Sequence, residues 1–215
     1  MLRASAWRRG TEIVAASNPH GGPMIMDAVH EHLTRQVWLV AFKGEAGSGK
    51  STLSHALSRR LRWPVIDKDD VRDLLDDSTP GLSYDIMFNV ARRQLLQGLS
   101  VICDSPQRTP GPAHAAQIAA ETRAQLAIVE CACPDEAIWR DRINGRKALN
   151  LPAHHQTDWV ALQGHLQARA ASTHHTDLGM SPHIVVQTVG RVDALCEQVI
   201  NWLVQHTDDE SPRVV

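Results

Sequence analysis

The sequence predicts an α/β fold, a parallel sheet covered by helices on both faces, and three observations carry that expectation. Short apolar runs alternate with amphipathic stretches from about residue 37 to residue 204, the pattern of repeated strand–helix units. Several runs are apolar almost throughout, as strands buried on both faces are. Finally, Gly44-Glu45-Ala46-Gly47-Ser48-Gly49-Lys50-Ser51 fits G-x-x-x-x-G-K-[ST] and lies between a run of strand length and a helical stretch, the context this phosphate-binding loop requires.

Taken in order, Val37 to Phe42 is the first strand, and Thr52 to Leu61 is a helix with apolar residues at 53, 57 and 61. Trp63 to Ile66 is a short second strand, followed by Asp67-Lys68-Asp69-Asp70-Val71-Arg72. Asp85 to Gln97 carries apolar residues at 86, 87, 90, 91, 95 and 96, a helical face that Gly98 stops. Leu99 to Cys103 is a strand ending in Asp104. Pro112 to Ala124 is a helix, Leu126 to Cys133 a strand, and Pro134 opens a helix to about Gly145. Residues 146–156 are expected to form a loop. Asp158 to Ala171 is helical, His183 to Thr188 the last strand, and Val192 to Val204 the last helix.

At 215 residues, 43% hydrophobic and 21% charged, the chain suits one globular α/β domain with a small inserted segment. A net charge of −2 provides no overall basic field, so nucleic acid is the less favoured partner. No run approaches the ~20 apolar residues of a membrane span, and residues 1–34 lack the apolar core of a secretory signal. A loose N-terminal extension (1–34), a domain over 35–206, a polar tail (207–215) and a cytoplasmic location are the expectations. Cys103, Cys131 and Cys133 lie in apolar runs and read as small buried hydrophobes, with neither zinc spacing nor a disulfide framework. The pairs His154-His155 and His174-His175 lack acidic or thiol partners at ligand spacing and read as solvated loop residues. Trp38, Trp63, Trp139, Trp159 and Trp202 form no interface stripe, so a monomer is the default.

The loop assigns chemistry residue by residue. Gly44, Gly47 and Gly49, with Ala46 and Ser48 between them, let backbone N–H groups wrap an anion. Lys50 reaches the β- and γ-phosphates of ATP, and the Ser51 hydroxyl binds Mg²⁺. The helix continuing through Thr52 points its positive end at the phosphates. In an open parallel sheet, ligands sit beyond the carboxyl ends of the strands. That rule brings Lys43-Gly44, Asp67 to Asp70, Asp104-Ser105 and Thr188 to one crevice. Asp69 is then placed to take the proton of an attacking hydroxyl, and Arg72 to hold an acceptor. Carboxylates at a helix start also serve as caps; Asp70 is taken as the cap and Asp67 as the rival base. Asp104 ends an apolar run, as an acidic residue that manages Mg²⁺ does, although a strand-end turn would also suit it. Tyr84 and Asn89 fall either on the acceptor side or on the helix surface. Arg142 and Arg146 are four apart and share a helix face, suited to closing over ATP and neutralising the migrating phosphoryl group, or simply to a basic surface.

Gly44 to Thr52, Asp67 to Arg72, Gly98 to Asp104 and Arg142-x-x-x-Arg146 together resemble the P-loop kinase family called AAA_33. That family is similar to polynucleotide 5′-hydroxyl kinase, chloramphenicol phosphotransferase, gluconate kinase and the zeta toxins. The resemblance spans about residues 37 to 205. It implies a P-loop NTPase three-layer sandwich, with a five-stranded parallel sheet in the order 2-3-1-4-5 and a small Arg-bearing lid at about 142–157. It also implies Asp69 as general base, Arg72 on the acceptor, Arg142 on adenine and Arg146 on phosphate. The implied activity is ATP- and Mg²⁺-dependent phosphorylation of a small-molecule hydroxyl. A nucleotide, nucleoside or polynucleotide 5′-hydroxyl acceptor is the alternative, and an ATP-dependent switch the alternative of another class. The chain departs from polynucleotide kinases in following Asp104 with Ser105-Pro106 where those enzymes have Thr-Asn, which weakens transfer of a nucleic-acid substrate.

Overall fold

The computed structural model describes residues 31–75, 79, 81–104, 111–149, 157–170 and 181–207. Five strands, β1 (Trp38–Lys43), β2 (Val65–Asp67), β3 (Val101–Asp104), β4 (Gln125–Ala132) and β5 (His183–Gln187), form one sheet in the order β2-β3-β1-β4-β5. Every pairing is parallel. The expected fold class and strand order are those of the structure.

Among the described residues, the helices that connect and flank the strands are α1 (Lys50–Leu61), α2 (Lys68–Arg72), α3 (Leu82–Leu95), α4 (Gly111–Thr122), α5 (Glu136–Ala148), α6 (Trp159–Ala170) and α7 (Val192–Gln205). Alternation along β1 divides the core in two. Trp38, Val40 and Phe42 pack with Leu53, Leu57 and Leu61 of α1 and Val199, Ile200 and Leu203 of α7. Leu39 and Ala41 face Met87, Phe88, Ala91 and Leu95 of α3 and Ile118 of α4 on the other side. A central strand buried on both faces is why 38–42 reads as one apolar run.

Several boundaries differ from expectation, each for a local reason. α3 begins at Leu82, not Asp85, because Gly81 supplies a left-handed cap conformation. α5 begins at Glu136 rather than at Pro134; the Asp135 carboxylate caps it, accepting the Ile138 N–H at 3.0 Å. It then runs on to Ala148, so Arg146 lies within a helix and not in the expected loop. Asp70 is not the cap of α2. That role belongs to Asp67, whose carboxylate accepts the Asp69 N–H at 2.8 Å.

Cys103, Cys131, Cys133 and Cys196 are all free and buried. Burial pushes the Cys103 and Cys131 thiols up to about 12, which leaves them as inert packing groups. Among the described residues no helix is long and apolar enough to cross a membrane. The expectations for residues 1–30, Ser105-Pro106, the 150–156 part of the lid, His154-His155, His174-His175 and the tail from 208 lie outside the described residues.

Candidate active site

The loop between β1 and α1 wraps the end of the sheet in a conformation that only glycine supplies. Gly44 has φ +143°, and a Cβ there would lie 2.4 Å from the Cys131 carbonyl oxygen on β4. Gly47 has φ +73°, and a Cβ there would lie 2.8 Å from Ile143 Cδ1 on α5. The loop is thus seated between a strand end and a helix with no room for side chains. Glu45 closes it from inside, its carbonyl accepting the Ser48 N–H at 3.1 Å and Lys50 Nζ at 2.9 Å. Burial pushes the Lys50 ammonium below its ordinary pKa; Asp104 and Glu45 pull the other way, and Arg146 adds to the push. A half-buried cation with a lowered pKa, held against its own loop carbonyl, is a site that an anion would complete.

Asp104 is fully buried at the end of β3 and accepts from Ser54 Oγ on α1 at 3.1 Å. Across the strands it pairs in register with Asp67, the last residue of β2. Burial, and next the Asp104 carboxylate, raise Asp67 to about 6 from 3.8. Because folding raises this pKa, the associated stability is full below 3.8 and is lost as pH rises through about 6. Asp67→Asn, which keeps a capping oxygen, should therefore be more stable than the parent at pH 8. Allowing for screening at a partly exposed group, the gain is about 1 kcal/mol, or roughly 2–4 °C in Tm. Thermal melts in EDTA should show that gain shrinking to nothing by about pH 4.

Asp69 lies in the first turn of α2, where Asp67 fixes its amide and Lys68 Nζ pairs with its carboxylate. Lys68, itself buried, also sits 5.4 Å from the Tyr84 ring centre on α3. Arg72 ends α2 and is exposed, as is Asn89 on α3. Lys43 turns instead to Glu130 at 2.8 Å.

On the other side of the loop, a cavity of about 430 Å³ lies between α1, α5 and the β5–α7 connection. Thr52, Arg142, Arg146, Leu149, Thr188 and Gly190 are among its lining residues. Arg142 donates to Thr188 Oγ1 at 3.1 Å and to the Thr188 carbonyl at 2.6 Å. Arg146, one turn further along α5, lines the same space.

The sequence-selected residues therefore fall into two groups that flank Lys50. Asp67, Asp69, Arg72 and Asp104 are on the β2–β3 side, and Arg142 and Arg146 on the β5 side. Glycine cradle, half-buried lysine, a hydroxyl at Ser51 in the first turn of α1 and a buried carboxylate at Asp104 fit Mg²⁺-bound ATP. Sequence reading missed Ser54 and Lys68. Ser54 had a signal, a polar residue beside Leu53 and Leu57 on the buried face of α1. Lys68 had none, because its partner Tyr84 is reached only through the fold.

This geometry agrees with the comparisons. The family profile of AAA_33, an AAA domain, matches residues 39–163. The chain belongs to the AAA_33 family. Among solved structures, a candidate kinase from Chloroflexus aurantiacus is 19% identical with a TM-score of 0.61, covering 80% of this chain and 98% of its own. A sugar kinase from Janibacter sp. is 16% identical with a TM-score of 0.54, covering 78% and 94%. Kti12 from Chaetomium thermophilum, solved with ADP-AlF3, is 12% identical with a TM-score of 0.58, covering 76% and 95%. No curated protein matches the sequence. The AAA_33 chain thus shares the fold of these proteins over most of their length.

Proposed function

We propose that the protein is an ATP- and Mg²⁺-dependent kinase that transfers the γ-phosphoryl group to a hydroxyl of a small molecule. The observation that carries this reading is the placement of Asp69. The helix start that bears it is fixed by Asp67, which is paired in register with Asp104, whose charge acts on Lys50. A nucleotide held by the loop would thus meet a carboxylate on the side opposite the Arg142–Arg146 cavity.

In this reading, loop amides and Lys50 hold the phosphates of ATP, which Thr52 borders at the first turn of α1. Ser51 and Asp104 would hold Mg²⁺, which when bound neutralises phosphate charge and orients the γ-phosphoryl group. Arg72 orients the acceptor, and Asp69 takes the hydroxyl proton as the acceptor oxygen bonds to the γ-phosphorus. The bond from that phosphorus to the β–γ bridging oxygen breaks, and ADP departs carrying the electron pair. Arg142 and Arg146 cover the nucleotide, and Arg146 offsets charge on the migrating group. Positioning and charge neutralisation supply the rate. The kinase domain is assigned to 35–206 with its lid at about 142–157, acting as a monomer in the cytoplasm.

The test is ADP release by the purified chain with Mg²⁺, alone and with pooled sugars and other hydroxyl metabolites, nucleosides, nucleotides and 5′-hydroxyl oligonucleotides. Stimulation by one small-molecule pool supports the reading. Stimulation by nucleosides, nucleotides or oligonucleotides alone would move the acceptor to those classes. Turnover indifferent to every acceptor would replace the kinase with an ATP-dependent switch.

A further inference from the structure

The phosphate-binding loop is gripped from behind at two of its carbonyls. Trp139 on α5 donates its indole N–H to the Ala46 carbonyl at 2.7 Å. Thr188, just past β5, donates its hydroxyl to the Ser48 carbonyl at 2.5 Å. Both donors are themselves fixed. Trp139 packs edge-on against Trp159 of α6 with ring centres 5.6 Å apart. Thr188 is buried; its amide bonds the Ala132 carbonyl at 2.8 Å, and its side chain meets Arg142. The loop has no slack on this side. A Cβ on Gly47 would approach Trp139 Cδ1 to 3.2 Å, and one on Gly49 would approach Thr188 Cβ to 3.1 Å.

A peptide unit is planar and trans, so the C=O of one residue and the N–H of the next point in opposite directions. Drawing the Ala46 carbonyl outward onto Trp139 aims the Gly47 N–H inward. Drawing the Ser48 carbonyl onto Thr188 does the same for the Gly49 N–H. We infer that Trp139 and Thr188 are positioning residues that pre-set two anion-binding amides of the loop before any nucleotide arrives. This rests on the reading of the loop as the ATP-phosphate site. It gives α5 a second task besides carrying Arg142 and Arg146, since the helix that covers the nucleotide also sets the loop that grips it.

The proposal separates phosphate recognition from recognition of the rest of the nucleotide. Trp139→Phe keeps the ring and loses the N–H; Thr188→Val keeps the shape and loses the hydroxyl; Thr188→Ser keeps the hydroxyl. Calorimetry of the full chain with inorganic tripolyphosphate and with ATP, and ligand-observed NMR with adenosine, form the assay. Trp139→Phe and Thr188→Val should each weaken tripolyphosphate and ATP about fivefold, the weight of one hydrogen bond. Adenosine binding should stay unchanged in Trp139→Phe, whose ring lies outside the cavity lining, and Thr188→Ser should bind tripolyphosphate like the parent. Amide spectra of the ligand-free protein add a direct readout: Trp139→Phe should move the Gly47 signal most and Thr188→Val the Gly49 signal. Unmoved tripolyphosphate affinity in variants of a parent that binds it overturns the inference and leaves the kinase reading standing. So does an equal loss for adenosine in Trp139→Phe, which marks a general loosening of the site. A parent chain that binds neither tripolyphosphate nor ATP overturns both.

Discussion

Asp69→Asn should lower acceptor-dependent ADP release by about 10²–10⁴-fold, the usual worth of a positioned general base, while ATP affinity stays near that of the parent. The substitution is nearly isosteric, and the contact that fixes this turn runs from the Asp67 carboxylate to the backbone amide of residue 69, so the helix start survives it. What disappears is the proton acceptor, together with the charge that Lys68 pairs with. Steady-state kinetics with the identified acceptor, set beside equilibrium ATP binding, distinguish loss of chemistry from loss of nucleotide. Activity retained within a few-fold would remove Asp69 from the base role. Asp67 would then be the next candidate, and the Asp67→Asn variant made for the melting experiments would decide it.

Lys50→Met should abolish most of the activity and yet leave the fold at least as stable. The ammonium lies where the β- and γ-phosphates of a bound nucleotide are expected, and removing one such electrostatic donor costs about 10²–10³ in rate. Its affinity for ATP should fall as well, because the lysine meets phosphate in the ground state too. Stability moves the other way. Burial holds the Lys50 ammonium below its ordinary pKa, so the folded chain pays a desolvation cost for keeping that charge. A methionine of similar length removes the cost, and Tm should stay level or rise. Kinetics and thermal melts on one preparation check both halves. A large drop in Tm would mean that the lysine serves the fold through its contact with the Glu45 carbonyl and not the phosphates.

The sequence by itself determined the layers and the motif. Residues 38–42 must be apolar on alternate sides because α1 and α7 cover one face of β1 and α3 and α4 the other. That double burial is why the strands, and from them the α/β class, could be recognised from runs of Val, Ile, Leu and Cys. The loop was legible for a related reason. Gly44 and Gly49 occupy backbone angles that side chains rarely adopt, with neighbours that crowd a Cβ, and such a requirement leaves its mark at fixed spacing. Where a helix began or ended was less legible. Asp67 and Asp70 are equally good capping residues in composition, and only the register that ends β2 at Asp67, opposite Asp104, chose between them. The extension of α5 through Arg146 was hidden by Gly145, a residue that ordinarily interrupts helices; here it is exposed and meets nothing.

Tertiary structure alone decided what surrounds the loop. Trp139 reaches Ala46 across 93 residues and Thr188 reaches Ser48 across 140. No periodicity or spacing encodes a contact of that range, because local patterns report only which face of an element is buried. The parallel sheet brings the ends of β1, β3, β4 and β5 to one edge, and the crossover connections then deliver a helix and a threonine to the back of the loop. The residues that would touch phosphate are written in a motif, whereas those that hold the motif in shape are set by where the chain returns.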